Sequence, residues 1–326
     1  MSDDANFNGP NFNESNFKES NADSCNRPIV VALGGNALAD VFSNTESNLL
    51  YRASKTLAKH TESGLVITHG NGPQIGLLAE PRRDNTAPSL DVLNAQTEGW
   101  LGYEIEQHIS AHLAAQQPVA TLLTRVEVDL TADDSLKPRK PIGRWLDRSK
   151  AEALQRDLNW RFTERDGKYR RLVPSPEPSR CLQIPAIDTL LQHDHVVICA
   201  GGGGIPVMRD SHDNLVGIEA VIDKDLATSL IARQLNARLL VLATNVAGIY
   251  EAWPQSSQGD TSTPPNYIRE IQAGELLKRQ FEPGSMGPKA QAAGLFTRAT
   301  GMPSVIGELS ELDKLIACTA GTRVIH

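Results

Sequence analysis

The chain is poor in cysteine. Its four cysteines, Cys25, Cys181, Cys199 and Cys318, stand far apart with no C-x-x-C pair. That argues against a zinc knuckle, dithiol redox chemistry or a disulfide framework and leaves a reduced, cytoplasmic protein as the expectation. Long hydrophobic runs are missing too: none approaches the ~18 residues of a membrane span, and the N-terminus has neither a signal-peptide core nor the Arg-rich, acid-poor character of a transit peptide. Positive charge is not in excess. The 32 Lys and Arg against 39 Asp and Glu give a formal net charge of −7, so no global field recruits nucleic acid or anionic lipid, and any anion site must be local. G-x-x-x-x-G-K-[ST], G-x-G-x-x-G with its acidic partner, H-R-D and D-F-G are all absent. P-loop, Rossmann and protein-kinase readings lose ground accordingly.

What is present fits an ordinary globular protein. The 326 residues are 40% hydrophobic and 22% charged, enough for two domains or one large α/β domain with an insertion. Residues 1–27 differ from the rest, with seven Asn, no β-branched residue and a five-residue recurrence at Asn6-Phe7, Asn11-Phe12 and Asn16-Phe17. The recurrence resembles pentapeptide repeats, but it would make about one coil, and a solenoid repeat needs stacked neighbours to bury its apolar face. A disordered tail is expected.

From Pro28 onward, short β-branched or Leu-rich runs alternate with helix-length amphipathic segments, which predicts an α/β fold with a largely parallel sheet. The expected strands are Ile29–Leu33, Leu65–Thr68, Val119–Val128, Val196–Ala200, Leu239–Ala243 and Ser304–Ile306; their near-continuous apolar character suits burial on both faces. The expected helices are Leu49–His60, Leu93–Gln116, Asp225–Asn236 and Gly287–Arg298. Between about residues 129 and 179 the chain is polar, charged and Pro-rich, a candidate inserted lid.

Three of these strands run directly into glycine clusters: Gly34-Gly35-Asn36, His69-Gly70-Asn71-Gly72 and Gly201-Gly202-Gly203-Gly204. In an open parallel sheet, ligands sit beyond the carboxyl ends of the strands, so the three loops should converge on one crevice. Glycine lets backbone N–H groups approach an anion, and a helix N-terminus behind the loop adds its positive end. One such loop alone reads equally well as a tight turn; three in parallel argue for a phosphate cradle. Lys224 and Lys289 both fall in the first turn of an expected helix, where a cation opposes the helix dipole by ~0.3–1 kcal/mol. An anion between them would reverse that sign. Asp225 could orient Lys224 or hold Mg²⁺, and Asp223 could be an N-cap.

Ordered long motifs then carry a resemblance. VALGGNAL from Val31, THGNGPQIG from Thr68, LDVLNAQTEGWLGY from Leu90, KPIG from Lys140, YRRLVPSPEPSR from Tyr169, AGGGGIPV from Ala200, GIEAVIDKDLATSLIA from Gly217 and FEPGSMGPKAQAA from Phe281 make the chain, from about Pro28 to its C-terminus, similar to the carbamate kinases of the amino-acid-kinase superfamily. The resemblance implies a three-layer αβα sandwich around a central, mainly parallel eight-stranded sheet, with a protruding lid subdomain and a homodimer. It implies reversible, Mg²⁺-dependent phosphoryl transfer between ATP and carbamate, giving ADP and carbamoyl phosphate, in arginine or related nitrogen catabolism. It assigns catalytic roles to Asn36, Lys140, Lys224 and Asp225, and acceptor binding to Gly34, Gly35, Gly70, Asn71 and Gly72. The nucleotide side would comprise Gly201, Gly202, Gly203, Gly204, Thr244, Asn245, Tyr250, Met286 and Lys289. No protein residue is assigned as a direct metal ligand, Mg²⁺ being held mainly by nucleotide phosphates. The partners expected are small molecules and a second copy of the chain, not nucleic acid or membrane.

The chemistry agrees with these residue types. A carbamate oxygen already carries charge and needs no general base, so alignment and charge neutralisation suffice. His69 is then a loop-positioning residue rather than a base, and His193 and His195 are surface residues. Several positions depart from the family pattern. Asn245 replaces a common Asp, Gln96 and Glu98 stand where Met and Gln are common, Arg144-Trp145-Leu146 replaces a Pro-aromatic-Tyr run, and Leu182-Gln183-Ile184 replaces a more acidic stretch. Two other readings stay open: a kinase of the same fold with another small carboxylate or carbamoyl-like acceptor, and a catalytically weak nucleotide-binding scaffold protein whose tail docks a partner.

Overall fold

A computed structural model describes residues 27–34, 48–79, 88–130, 135–251, 266–281 and 286–326. The Asn-Phe repeat, and with it the expected disorder of the tail up to residue 26, lies outside the described residues, as do Gly35 and Asn36. In chain order the described elements begin β1 (Ile29–Leu33), α1 (Leu49–Leu57), β2 (Leu65–His69), α2 (Gly72–Leu78), α3 (Leu90–Ser110), β3 (Val119–Thr121) and β4 (Arg125–Asp129). They continue β5 (Pro138–Leu146), α4 (Arg148–Leu158), β6 (Arg161–Arg165), β7 (Lys168–Pro174), β8 (Glu177–Cys181), α5 (Ile184–Gln192) and β9 (Val196–Ile198). After a 3-10 turn at Gly201–Gly203 come β10 (Ile205–Arg209), β11 (Leu215–Gly217), α6 (Lys224–Gln234), β12 (Leu239–Thr244) and β13 (Glu270–Gln272). The last are α7 (Ala273–Leu276), α8 (Met286–Thr300), β14 (Ser304–Glu308), α9 (Leu312–Ile316) and β15 (Thr322–Ile325).

Eight strands form the central sheet in the order β13-β15-β14-β12-β1-β2-β9-β3, parallel throughout except where β15 meets β14. The alternation along each strand explains the layers. Ile29, Val31, Leu33, Leu65, Ile67 and Val241 face α1, α3 and α9, while Val30, Ala32, Val66, Leu240 and Leu242 face α5, α6, α7 and α8. Both faces are covered, as the near-continuous apolar strands require, and each Val, Leu or Ile side chain among them contributes roughly 1.5–3 kcal/mol on leaving water. The expected αβα sandwich with a mainly parallel eight-stranded sheet is the architecture found.

Two smaller sheets flank it. One, ordered β11-β10-β4-β8, changes an expectation: Val119–Val128 is not one strand but two, β3 in the central sheet and β4 in this one. The chain turns at Leu122–Thr124 because Leu122 N–H makes the last link to Ile198 O at 2.9 Å and Thr124 N–H is taken by the Glu98 carboxylate at 3.0 Å. The other, β5-β7-β6, is antiparallel and spans 138–174 together with α4. The segment expected from about 129 to 179 is thus regular, although its last residues, in β8, pair with β4 instead. α3 begins three residues before the expected Leu93 because Leu90 N–H finds the distant Glu219 carboxylate at 2.7 Å, a helix cap that no local pattern shows.

Candidate active site

The carboxyl ends of β1, β2 and β9 lie side by side, since the register pairs Leu33 with His69 and Ile67 with Ile198. The loops leaving them therefore meet. Gly70 N–H donates to Leu33 O at 3.2 Å, and Gly34 lies so near the end of β12 that an added Cβ would stand 3.0 Å from Ala243 O. The turn after β9 is left-handed at Ala200 (φ 49), Gly202 (φ 66), Gly203 (φ 100) and Gly204 (φ 87). A side chain on Gly202 would overlap Asn71, and one on Gly203 would overlap the backbone of Ile222. Only glycine lets the turn wedge between the loop after β2 and the segment entering α6.

At the start of α6, Asp223 is the N-cap, its Oδ1 accepting from Asp225 N–H at 2.9 Å and Leu226 N–H at 3.4 Å. Lys224 Nζ donates to Asp225 Oδ1 at 2.6 Å, and Lys289 Nζ, from the first turn of α8, donates to Asp225 Oδ2 at 3.0 Å. Only 12%, 6% and 7% of the Lys224, Asp225 and Lys289 side chains is exposed. Burial alone would raise the Asp225 carboxyl, but the two ammonium groups outweigh it and hold the group below the ordinary carboxylate range. Burial, followed by opposition from Asp225 and reinforcement from Lys289, leaves Lys224 below the usual lysine range. The trio carries one net positive charge at a helix N-terminus. Packing fixes its geometry: Ser229 on α6 donates to Ala292 O on α8 at 2.7 Å, and Thr228 shares a 2.7 Å hydrogen bond with Thr68 of β2.

Lys140 comes from β5. Its Nζ donates to Ile222 O at 3.0 Å and stands 3.4 Å from Asp223 Oδ2, so it reaches the same helix start as Lys224. β5 can lie there because Gly76 of α2 meets Gly143 backbone to backbone. Thr244, at the end of β12, adjoins Gly34 and donates to Asn245 Oδ1 at 3.3 Å, with Asn245 exposed. Tyr250 is held by a β-bridge and an edge-to-face ring contact to Tyr267, centroids 6.5 Å apart. Met286 opens α8 one turn before Lys289, and Gly72, followed by Pro73, opens α2.

His69 is fully buried. Its Nδ1–H donates to Gly70 O at 3.2 Å, Nε2 has no hydrogen-bond partner among the described residues, and burial lowers its pKa to about 4. The ring is neutral. His193 is exposed and His195 half-buried, each with Nδ1 on a backbone carbonyl. Gln183, in the stretch that replaces a more acidic one, meets the start of β4 by accepting from Arg125 N–H at 2.7 Å.

Sequence reasoning left unread a polar patch on α3. Asn71 Nδ2 donates to Asn94 Oδ1 at 3.0 Å and Thr97 Oγ1 at 2.9 Å, and Glu98 binds the backbone of the loops after β3 and β9. The signal was available: Asn94, Thr97 and Glu98 interrupt the buried stripe of Leu90, Leu93, Leu101 and Ile105 at helical spacing. Among the described residues, no group of three or more His, Cys, Asp or Glu is arranged to hold a metal ion, and no helix is long and apolar enough to cross a membrane.

Comparison with known proteins agrees with this geometry. The profile of the Amino acid kinase family matches residues 27–308. The carbamate kinase of Haemophilus influenzae is 42% identical over 305 residues, spanning 91% of this chain and 96% of the relative. That of Escherichia coli K12 is 41% identical over 305 residues, spanning 91% and 98%. Among solved structures, the carbamate kinase of Giardia lamblia bound to AMP-PNP superposes with a TM-score of 0.76 at 32% identity, covering 93% of this chain and 99% of that one. Buried lysines on a shared carboxylate beside glycine turns, on a parallel sheet of this order, and likeness along nine-tenths of the length lead to one assignment: the chain belongs to the amino acid kinase family, where it groups with the carbamate kinases, and is a phosphotransferase.

Proposed function

We propose that the protein is a carbamate kinase, moving a phosphoryl group reversibly between ATP and carbamate. The observation that carries this reading is the buried Lys224–Asp225–Lys289 trio at the mouth of the glycine turns, in a chain so similar to carbamate kinases. A carbamate oxygen attacks the γ-phosphorus, the bond from phosphorus to the β–γ bridging oxygen breaks, and ADP leaves with the electron pair. No proton has to be removed from the acceptor, which suits a site whose histidine is buried and neutral.

Each side chain then has a role in positioning or charge. Lys289 holds the nucleotide phosphates, Lys224 bridges donor and acceptor across the transferring group, and Asp225 keeps both ammonium groups aimed. Gly34, Gly35, Asn36, Gly70, Asn71 and Gly72 bind the acceptor and the migrating group, while Gly201 to Gly204, Thr244, Asn245, Tyr250 and Met286 shape the nucleotide side. The segment from about 129 to 179 acts as a lid, Lys140 reaching the acceptor from above; its contact with the α6 start supports this.

Both Asp225 oxygens are engaged by lysines, so the donor set suits a Mg²⁺ ion carried by the nucleotide phosphates. When bound, the ion would neutralise phosphate charge. The reading includes a homodimer, supported by exposed Tyr103 on α3 and Leu123 beside the edge strand β3.

A coupled assay tests the reaction: ADP, carbamoyl phosphate and Mg²⁺ should give ATP. No ATP at saturating Mg²⁺ would defeat the reading. A second acceptor remains in view because Arg144-Trp145-Leu146 alters the lid beside Lys140. ATP formation from another acyl phosphate, and not from carbamoyl phosphate, would favour it.

A further inference from the structure

Glu98 lies in the middle of α3 with 1% of its surface exposed, and nothing in the phosphoryl-transfer reading uses it. Its Oε1 accepts from Gly201 N–H at 2.9 Å and its Oε2 from Thr124 N–H at 3.0 Å. One carboxylate thus joins the loop after β9 to the loop after β3. Thr124 completes the clamp, since its Oγ1 accepts from Ala200 N–H at 3.0 Å. The two consecutive amides that enter the left-handed turn are therefore satisfied from beneath by Glu98 and Thr124. The next residue, Gly202, lies against Asn71.

We propose that Glu98 is a positioning residue whose ionised carboxylate holds the 200–204 glycine turn in register with the loop at Asn71, so that phosphoryl transfer depends on its charge. The anion has an acceptor oxygen for each N–H. Protonation turns one oxygen into a hydroxyl that faces a donor, and one buried amide loses its partner.

The surroundings make that protonation accessible near neutrality. Burial raises the Glu98 carboxyl to about 8 against the lowering effect of the Thr124 and Gly201 amides. The titratable groups that face it offer no opposing cation. His69 of β2 is neutral at neutral pH because burial lowers it to about 4. Cys181 of β8 is pushed up to about 11, first by burial and also by Glu98, and Cys199 next to β9 is raised by burial, by Cys181 and by Glu98. Lys224 of α6 acts on His69, not through contact with Glu98. A glutamine here would offer one acceptor oxygen at every pH and turn its amide donor towards the second N–H.

The proposal rests on the phosphotransferase reading, and the test keeps the two apart. ATP formation from ADP and carbamoyl phosphate is followed from pH 6.5 to 9 for the full chain and for Glu98→Gln. The parent kcat/KM should rise about tenfold as pH increases, the size expected for one buried hydrogen bond, while Glu98→Gln stays flat near the low-pH value and Glu98→Asp restores pH dependence with lower activity. Superimposable profiles for parent and Glu98→Gln overturn the proposal. Amide exchange of Gly201 and Thr124, corrected for intrinsic rates, gives a readout that needs neither a folded variant nor activity. Protection should be greater at pH 9 than at pH 6.5, and equal protection also overturns it. If the parent makes no ATP, the assigned reaction fails while the exchange measurement still decides the clamp.

Discussion

The floor of the site and the three-stranded sheet above it handle charge in opposite ways. In the floor, Asp225 and its two lysines are buried, share every carboxylate oxygen and sit on helices packed against the central sheet. In the sheet of β5, β6 and β7 with α4, the stretch 137–174 holds twelve Lys or Arg and five Asp or Glu, in a chain whose net charge is −7. Many of these cations are exposed, and some lie on aromatic rings, Arg171 3.6 Å from the Trp160 centroid and Arg170 5.8 Å from that of Trp145. The difference separates two kinds of electrostatic work. A buried, compensated charge fixes geometry at a cost in desolvation, whereas a solvated excess of one sign sets a local field at little cost to the fold.

Breaking the floor should have the largest effect. Asp225→Asn leaves two buried ammonium groups without their counter-charge, so denaturant unfolding should show a loss of ~3–5 kcal/mol, with ATP formation reduced by more than about 100-fold. A variant of unchanged stability would show that water already compensates the lysines. Lys289→Ala should spare more of the fold and lower kcat/KM for the nucleotide by roughly 10²–10³, as for loss of one charge-stabilising donor. Lys140→Ala sharpens the contrast. With 29% of its side chain exposed, it should leave the unfolding midpoint almost unchanged while kcat falls about tenfold to 100-fold and nucleotide KM moves little. Equal effects of the two lysine variants on KM would erase the distinction between the buried trio and the three-stranded sheet.

The smallest expected effect belongs to the field of the three-stranded sheet. Raising ionic strength from about 20 to 200 mM should lower kcat/KM for carbamoyl phosphate a few-fold at constant kcat. The double variant Lys150→Glu, Arg161→Glu, at two exposed positions, should flatten that slope. An unchanged slope would mean that the excess positive charge does not act on the substrate.

The same two regions differ in what could be read in advance. Ile29–Leu33 was legible residue for residue, since five apolar side chains ended by glycine can hardly be other than a strand buried on both faces. The glycine clusters and the lysines at helix starts were legible because they serve local backbone geometry and local charge. The 138–174 sheet was not. Its strands are half-solvated and rich in Arg, and they are held by contacts far away in the chain, such as Arg171 with Glu219 at 2.9 Å and Gly143 against Gly76. Glu98 was visible only as an unusual residue, because its partners, Thr124 and Gly201, lie 26 and 103 positions away.

By itself, then, the sequence determined which segments must be hidden from water, where the backbone can turn sharply and which cations open α6 and α8, because hydrophobicity, glycine freedom and helix polarity act over a few residues. Tertiary structure alone decided that Lys224 and Lys289 share one carboxylate, that Lys140 reaches Asp223, and that a buried acid on α3 holds two loops at once. Those are matters of distance between segments far apart in the chain, and burial and charge take their strength from that distance.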